Sequence, residues 1–199
     1  MLLSNLLVLF PLLASASPVA PRSCSIESPT FIGWIDSAQP DFNSNPLADN
    51  TLTLALKEPN RLVDTLIEFT VPAGAWGCQL ELYFQKGYGG LYGYGGPIKA
   101  DVWNVDKNVP LGPYNYSVNW NLAPKPTNLF GTTGTLVEPP RQGYQEDVKR
   151  VINSAACKGK MTYRARVPEE VQPRGGVQFY QRSSSPYSVF GGWRMVHNC

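Results

Sequence analysis

The sequence predicts an all-β protein with an antiparallel β-sandwich or jelly-roll-like fold of about ten short strands. Apolar and polar residues alternate in many short segments, and Pro and Gly, 18 of each, break the chain at the spacing of turns. Alternation with a period of two is typical of strands that bury one face. Turn residues between such segments are typical of sandwiches and barrels.

The first 16 residues have the features of a secretory signal peptide, with an apolar core at 6–13 and small residues at 14–16. This core is shorter than the ~20 residues that a membrane-spanning helix needs. We therefore expect a secreted protein without a transmembrane span, in which a tether (17–25) precedes one domain (26–199). Secretion would also expose the sequon at Asn115, in a Pro- and Tyr-rich stretch, to glycosylation.

An even number of cysteines behind a signal peptide predicts two disulfides. Cys24, Cys78, Cys157 and Cys199 allow three pairings. We favour Cys24 with Cys199 and Cys78 with Cys157, because joining the chain ends would fix two termini that otherwise fray. No C-x-x-C pair occurs and His197 is the one histidine, so we expect no metal site and no cofactor.

The clearest alternation lies in residues 63–86. Apolar residues at most odd positions of 63–71 and at the even positions of 78–84 alternate with polar ones. Because Pro and Gly occupy the intervening residues 72–77, we expect these two strands to form a hairpin.

Eight further strands and one helix are predicted around this hairpin. The helix is expected at 145–156, because Val148, Val151, Ile152 and Ala155 recur at spacings of three and four. Residues 36–50 and 124–131 are expected to be irregular. The further strands are predicted at 30–35, 51–56, 98–105, 117–122, 134–138, 160–167, 177–181 and 192–198.

Residues 87–96, GYGGLYGYGG, are the most biased segment of the chain. One interpretation is a mobile tip or binding loop in which Tyr88, Tyr92 and Tyr94 contact a ligand, since tyrosine offers a ring and a hydroxyl at low entropic cost. The other is a turn whose rings pack back on the sheet. The composition of the segment favours neither interpretation.

Charge is distributed unevenly along the chain. Residues 149–199 hold nine Lys and Arg against two Glu, whereas residues 1–148 hold eight against thirteen acids. A basic final third could face an anionic glycan. Strand pairing between the two parts would instead neutralise the charges within the protein, and we favour that explanation. The net charge of +2 gives no support to nucleic acid as a partner.

The residue types give limited support to catalysis. A Ser-His-Asp or Cys-His site would depend on His197, two positions from the C-terminus. A glycosidase needs only two carboxylates, and Glu68, Glu81 and Asp101 lie on polar faces of predicted strands. Hydrolysis is the less favoured hypothesis, because solvated strand faces ordinarily carry charges. Five tryptophans either bind sugar rings or, as we favour, pack in the protein: Trp34, Trp76, Trp103, Trp120 and Trp193.

Several motifs together resemble the C-terminal domain family of fungal But-two proteins. They are Cys24, the segment LIEFTVPAGAWGCQLELYF, the segment SVNWNLAP, Cys157 before a strand, and the terminal GWRMVHNC. The resemblance covers residues 26–199 and implies a secreted or wall-associated fungal β-domain. It supplies no catalytic or ligand-binding residues. The family name comes from a protein interaction of one member, which adds a protein-interaction domain to the hypotheses.

We predict from these features a secreted, non-catalytic binding or structural module, with cell-wall glycan or an extracellular protein as its partner. A carbohydrate-active hydrolase is the first alternative.

Overall fold

The computed structural model describes residues 23–43, 52–96, 98–110, 118–171, 174–182 and 189–199. The predicted signal peptide, residues 17–22 of the predicted tether and Asn115 lie outside the described residues. Within the described ranges the chain forms twelve β-strands and no helix, which confirms the predicted all-β class.

The strands form two antiparallel sheets. The small sheet has the order β1-β12-β5-β9, and the large sheet has the order β6-β11-β3-β4-β10-β7-β8, with β2 also paired to β4. In chain order the strands are β1 (Ser25–Glu27), β2 (Phe31–Asp36), β3 (Leu52–Glu58), β4 (Arg61–Thr70), β5 (Cys78–Phe84), β6 (Leu91–Tyr94), β7 (Asp101–Val105), β8 (Pro126–Thr132), β9 (Val148–Ala155), β10 (Lys160–Arg166), β11 (Gly175–Tyr180) and β12 (Gly191–His197).

The main core lies between the two sheets, as expected for a sandwich. Ile67 and Phe69 of β4 and Leu80 and Leu82 of β5 are completely buried in it, together with Trp193 of β12. Because alternate residues of a strand point to opposite faces, the polar residues between them face outward. Burying each such side chain stabilises the fold by about 1.5–3 kcal/mol.

The predicted hairpin of residues 63–86 is wrong. β4 pairs with β2, β3 and β10, whereas β5 pairs with β12 and β9. Residues 71–77 therefore cross from the large sheet to the small one. Gly74 and Gly77 take positive φ in this crossing, and the two apolar rows that suggested one hairpin face each other across the core.

The predicted helix at 145–156 is also wrong, because β9 occupies most of this range. The register of β9 against β5 shifts between Leu80 and Glu81, so β9 carries an extra residue there, as in a β-bulge. The bulge places Ile152 and Ala155, three residues apart, both against the core. Because a spacing of three between buried apolar residues is also typical of a helix, the sequence of this strand predicts a helix.

Both disulfides have the favoured pairing. Cys24 is bonded to Cys199 with a Cα–Cα distance of 4.6 Å, and Cys78 is bonded to Cys157 with a Cα–Cα distance of 5.1 Å. The first bridge joins the chain ends beside β1 and β12, which pair with each other. The second bridge connects the start of β5 to the residues after β9.

Residues 118–122 and 134–138 are not strands, and the last strand before β9 is β8, in a region predicted to be irregular. Val118 and Ala123 instead cover the outer face of the large sheet, where they pack with Phe31, Ile35 and Leu66 in a second, smaller core. In the described part of the chain no helix is long and apolar enough to cross a bilayer.

Candidate functional site

The glycine-rich segment contains a packed edge strand, β6, rather than a mobile tip. β6 pairs with β11, and Leu91 at its start is buried in the core. Gly93 also faces inward, where a Cβ atom would collide with Ile98. At this position a glycine is required by close packing, since Ile98 fills the space that a side chain would take.

Tyr88 is completely buried, so this part of the predicted binding loop is wrong. Its hydroxyl donates to the carbonyl oxygen of Tyr180 at 2.7 Å and accepts the Tyr180 amide at 3.1 Å. Its ring packs on Phe84 with centroids 4.9 Å apart. Burial raises the pKa of Tyr88 far above its ordinary value. Tyr88 therefore anchors the segment from the inside.

Tyr92 and Tyr94 point to the outer face of the large sheet and are 49% and 40% exposed. They are two residues apart on β6, so their rings are about 7 Å apart along the strand. Gln178 of β11 lies opposite Tyr92, and its Oε1 accepts a hydrogen bond from the Tyr94 hydroxyl. We call Tyr92, Tyr94 and Gln178 the tyrosine face.

The backbone beneath the tyrosine face is fixed from two sides. β11 pairs with β6 along one edge, and Glu138 Oε1 accepts the amide of Gly93 at 2.6 Å. The Glu138 carboxylate thus accepts a hydrogen bond from a backbone amide of the edge strand, which would otherwise be free to pair with another strand. The tyrosine rings consequently stand on a backbone that is already ordered.

The candidate glycosidase carboxylates do not form a pair. Glu81 lies on the outer face of the small sheet and Glu68 on the outer face of the large sheet, with the core between them. Each is buried and occupied: Glu81 Oε2 accepts Arg194 at 2.8 Å, and Glu68 Oε2 accepts the amide of Val109 at 2.9 Å. Neither carboxylate is placed to protonate or attack a sugar together with the other.

Asp101 lies on the large sheet opposite Arg166. Desolvation raises the pKa of its carboxyl group above the ordinary value, an effect that a hydrogen bond from Thr132 partly opposes. It shares no groove with Glu81, because the core again separates the two sheets' outer faces. Glu81 therefore forms a catalytic carboxylate pair with neither Glu68 nor Asp101.

The uneven charge distribution is explained by pairing within the fold. Basic residues of the last third bond acids of the earlier part across neighbouring strands: Lys160 to Glu68, Arg164 and Arg166 to Asp64, and Lys149 and Arg194 to Glu81. The favoured interpretation of the sequence, mutual neutralisation across the sheets, is confirmed for these residues.

The tryptophans differ in exposure. Trp193 is buried in the main core, whereas Trp76, in the crossing between the sheets, is 48% exposed. Trp34, Trp103 and Trp120 are partly buried. Trp120 lies under the Arg164 guanidinium at 4.8 Å, so packing accounts for it.

Among the described residues no group of three or more His, Cys, Asp or Glu could hold a metal ion. Comparison with known proteins finds no matching family model and no matching curated protein. The resemblance to the But-two C-terminal family therefore stays a prediction.

Proposed function

We propose that this protein acts outside the cell as a non-catalytic module that binds neutral wall glycan through its tyrosine face. The observation that carries the proposal is the exposure of Tyr92 and Tyr94 on one side of one strand. Side by side, the two rings form an apolar patch rather than a single exposed ring, and such patches mark interaction sites. They match the apolar faces of successive sugar rings. The two disulfides and the predicted signal peptide support an extracellular location.

The face is ordered before a ligand arrives. Tyr94 is held by Gln178, and the strand is held by Glu138 and β11. A binding surface that is already ordered loses less conformational entropy on association. Gln178 adds amide groups that can bond sugar hydroxyls beside the rings.

The test is retention of the purified protein on insoluble chitin and on insoluble β-glucan. We expect the wild type to be retained on at least one polymer, and Tyr92→Ala/Tyr94→Ala to lose at least about tenfold in affinity, since each lost ring contact contributes about 1 kcal/mol. Trp76→Ala and Phe190→Ala remove exposed rings elsewhere and are the matched controls, expected to bind as the wild type does. Unchanged retention of the double variant, or no retention of the wild type, would overturn the proposal.

A further inference from the structure

We propose a second ligand site, separate from the tyrosine face, that binds an acidic sugar residue in a groove at one end of the sandwich. The groove has a volume of about 580 Å³, within the range of small-molecule sites. It is formed where β7 ends, β8 begins, and β9 turns into β10. We call it the lysine groove. Its amide and ammonium side chains are Asn104, Lys107, Asn108, Asn128, Lys158 and Lys160.

Three ammonium groups reach this groove from two parts of the chain. Lys107 follows β7, Lys158 lies in the turn between β9 and β10, and Lys160 begins β10. Lys160 Nζ is 2.9 Å from Glu68 Oε1, so its charge is compensated. Lys107 and Lys158 are exposed, and among the described residues no ion pair involves either of them. These two charges remain for a ligand.

Among the described residues that line the groove, one is a carboxylate, Asp106. Asp106 Oδ1 accepts the backbone amide of Lys125 at 2.8 Å, and the Asp106 amide donates to the Lys125 carbonyl at 3.1 Å. These bonds close the base of the long connection between β7 and β8. Asp106 thus helps to shape the groove and offsets part of its positive charge, and Lys107 and Lys158 together leave the groove with a net positive charge.

The remaining polar groups are amides, which suit hydroxyl groups. The Asn108 side-chain amide lies 3.1 Å from Thr162 Oγ1, a contact that orients the Asn108 side chain at the groove. Asn104 and Asn128 add further amides to the lining. Amides that bond hydroxyls, next to ammonium groups that bond a carboxylate, match a uronic acid residue better than a nucleotide, because the one aromatic residue among the described lining, Tyr163, is buried and cannot stack a base.

The two sites are independent in the fold. β6, which carries the tyrosine face, is five strand positions from β7 in the order of the large sheet, or about 24 Å along a flat sheet. A polymer that contains neutral and acidic sugars could therefore contact both regions.

The experiment titrates the full mature protein with tetragalacturonate by calorimetry or NMR. Lys107→Gln/Lys158→Gln should weaken binding at least about tenfold, because two charge contacts are lost. Lys86→Gln is the matched control, since Lys86 is exposed and follows the end of β5 that lies farthest from Ala155. We expect the methyl ester of tetragalacturonate not to bind, and binding of the acid to weaken between 20 and 200 mM NaCl.

Retention on chitin or β-glucan by the lysine double variant separates this proposal from the tyrosine face. It should equal that of the wild type whatever the outcome for tetragalacturonate. Equal losses in the double variant and in Lys86→Gln, or no binding of tetragalacturonate by the wild type, would overturn the inference. Inorganic phosphate that binds as tightly as tetragalacturonate would overturn it as well, since it would show a simple anion site.

Discussion

The most constrained side chains of the molecule are charged ones beneath the outer cover of the large sheet. Arg164 is 2% exposed, and its Nε donates to Asp64 Oδ2 at 2.6 Å while another guanidinium nitrogen donates to the Pro124 carbonyl at 3.1 Å. Burial lowers the pKa of Arg164, and the Asp64 carboxylate partly offsets this. The guanidinium stays charged in proteins. One side chain thus joins β10, β4 and the segment after Val118.

Arg164→Met should lower the free energy of unfolding by about 3 kcal/mol, because it leaves the buried Asp64 with Arg166 as its remaining cation. Arg164→Lys should lose less, since an ammonium keeps the charge but cannot bond Asp64 and Pro124 in one planar geometry. Arg150→Met, at an exposed site, is the control and should change stability by less than about 0.5 kcal/mol. Urea unfolding measures all three. A loss below about 1 kcal/mol for Arg164→Met would contradict this account.

At the scale of elements, the sequence predicted which segments are strands better than how they pair. Alternation depends on local side-chain direction, so β2, β3, β10 and β12 were found within a few residues. Pairing depends on distant partners, and the crossing between β4 and β5 has the same Pro and Gly residues as a hairpin. The bulge in β9 changes the spacing between inward-facing residues from an even to an odd number. In the sequence of β9 alone, this spacing cannot be distinguished from that of a helix.

In the candidate site, too, local side-chain direction could be predicted from the sequence, whereas contacts between distant residues could not. Leu91, Tyr92, Gly93 and Tyr94 alternate inward and outward, a period of two that glycine obscured in the sequence because it carries no apolar side chain. Tyr88 could not be separated from the exposed tyrosines, since its burial depends on the Tyr180 backbone, 92 residues away. The lysine groove has no sequence signal because only folding brings Lys107 next to Lys158 and Lys160.

Gly93→Ala should destabilise the protein by about 1–3 kcal/mol, because the added methyl group must displace Ile98. Ile98→Ala in the same chain should restore part of that loss by opening the space, although the single Ile98→Ala variant is itself destabilised. Gly159→Ala is the control, since a Cβ there would meet nothing within 4 Å. Thermal unfolding compares the variants. Additive losses in the double variant would show that Gly93 and Ile98 are not coupled.

The molecule as a whole pairs buried charges across its sheets and joins its terminal strands covalently. Three acids of the first 148 residues, Asp64, Glu68 and Glu81, meet bases of the last third on the outer faces of both sheets. Cys24 and Cys199, 175 residues apart, then fix the terminal strands together. In the chain-entropy model a loop of this length stabilises the native state by about 5 kcal/mol.

The response of the whole fold to alkaline pH follows from tyrosines buried in its core. Burial raises the pKa of Tyr88 and Tyr163 above their ordinary value near 10, and raises the pKa of the half-buried Tyr144 to about 12. The folded protein therefore retains these protons after the unfolded chain has released them. Their contribution to stability is complete below pH 10 and is lost as the pH rises towards the raised values.

Between pH 9 and pH 11 the free energy of unfolding should fall by about 1.4 kcal/mol for each fully buried tyrosine, or about 3 kcal/mol for Tyr88 and Tyr163 together. Tyr163→Phe keeps the ring that packs on Phe130 at 4.8 Å but carries no ionisable proton. Its loss over the same pH interval should be smaller than that of the wild type by about 1.4 kcal/mol. Urea unfolding at pH 9, 10 and 11 measures the difference, and absorbance at 295 nm reports how many of the ten tyrosines ionise before unfolding. Parallel stability profiles for the variant and the wild type would contradict the prediction, because they would place the alkaline sensitivity in other groups.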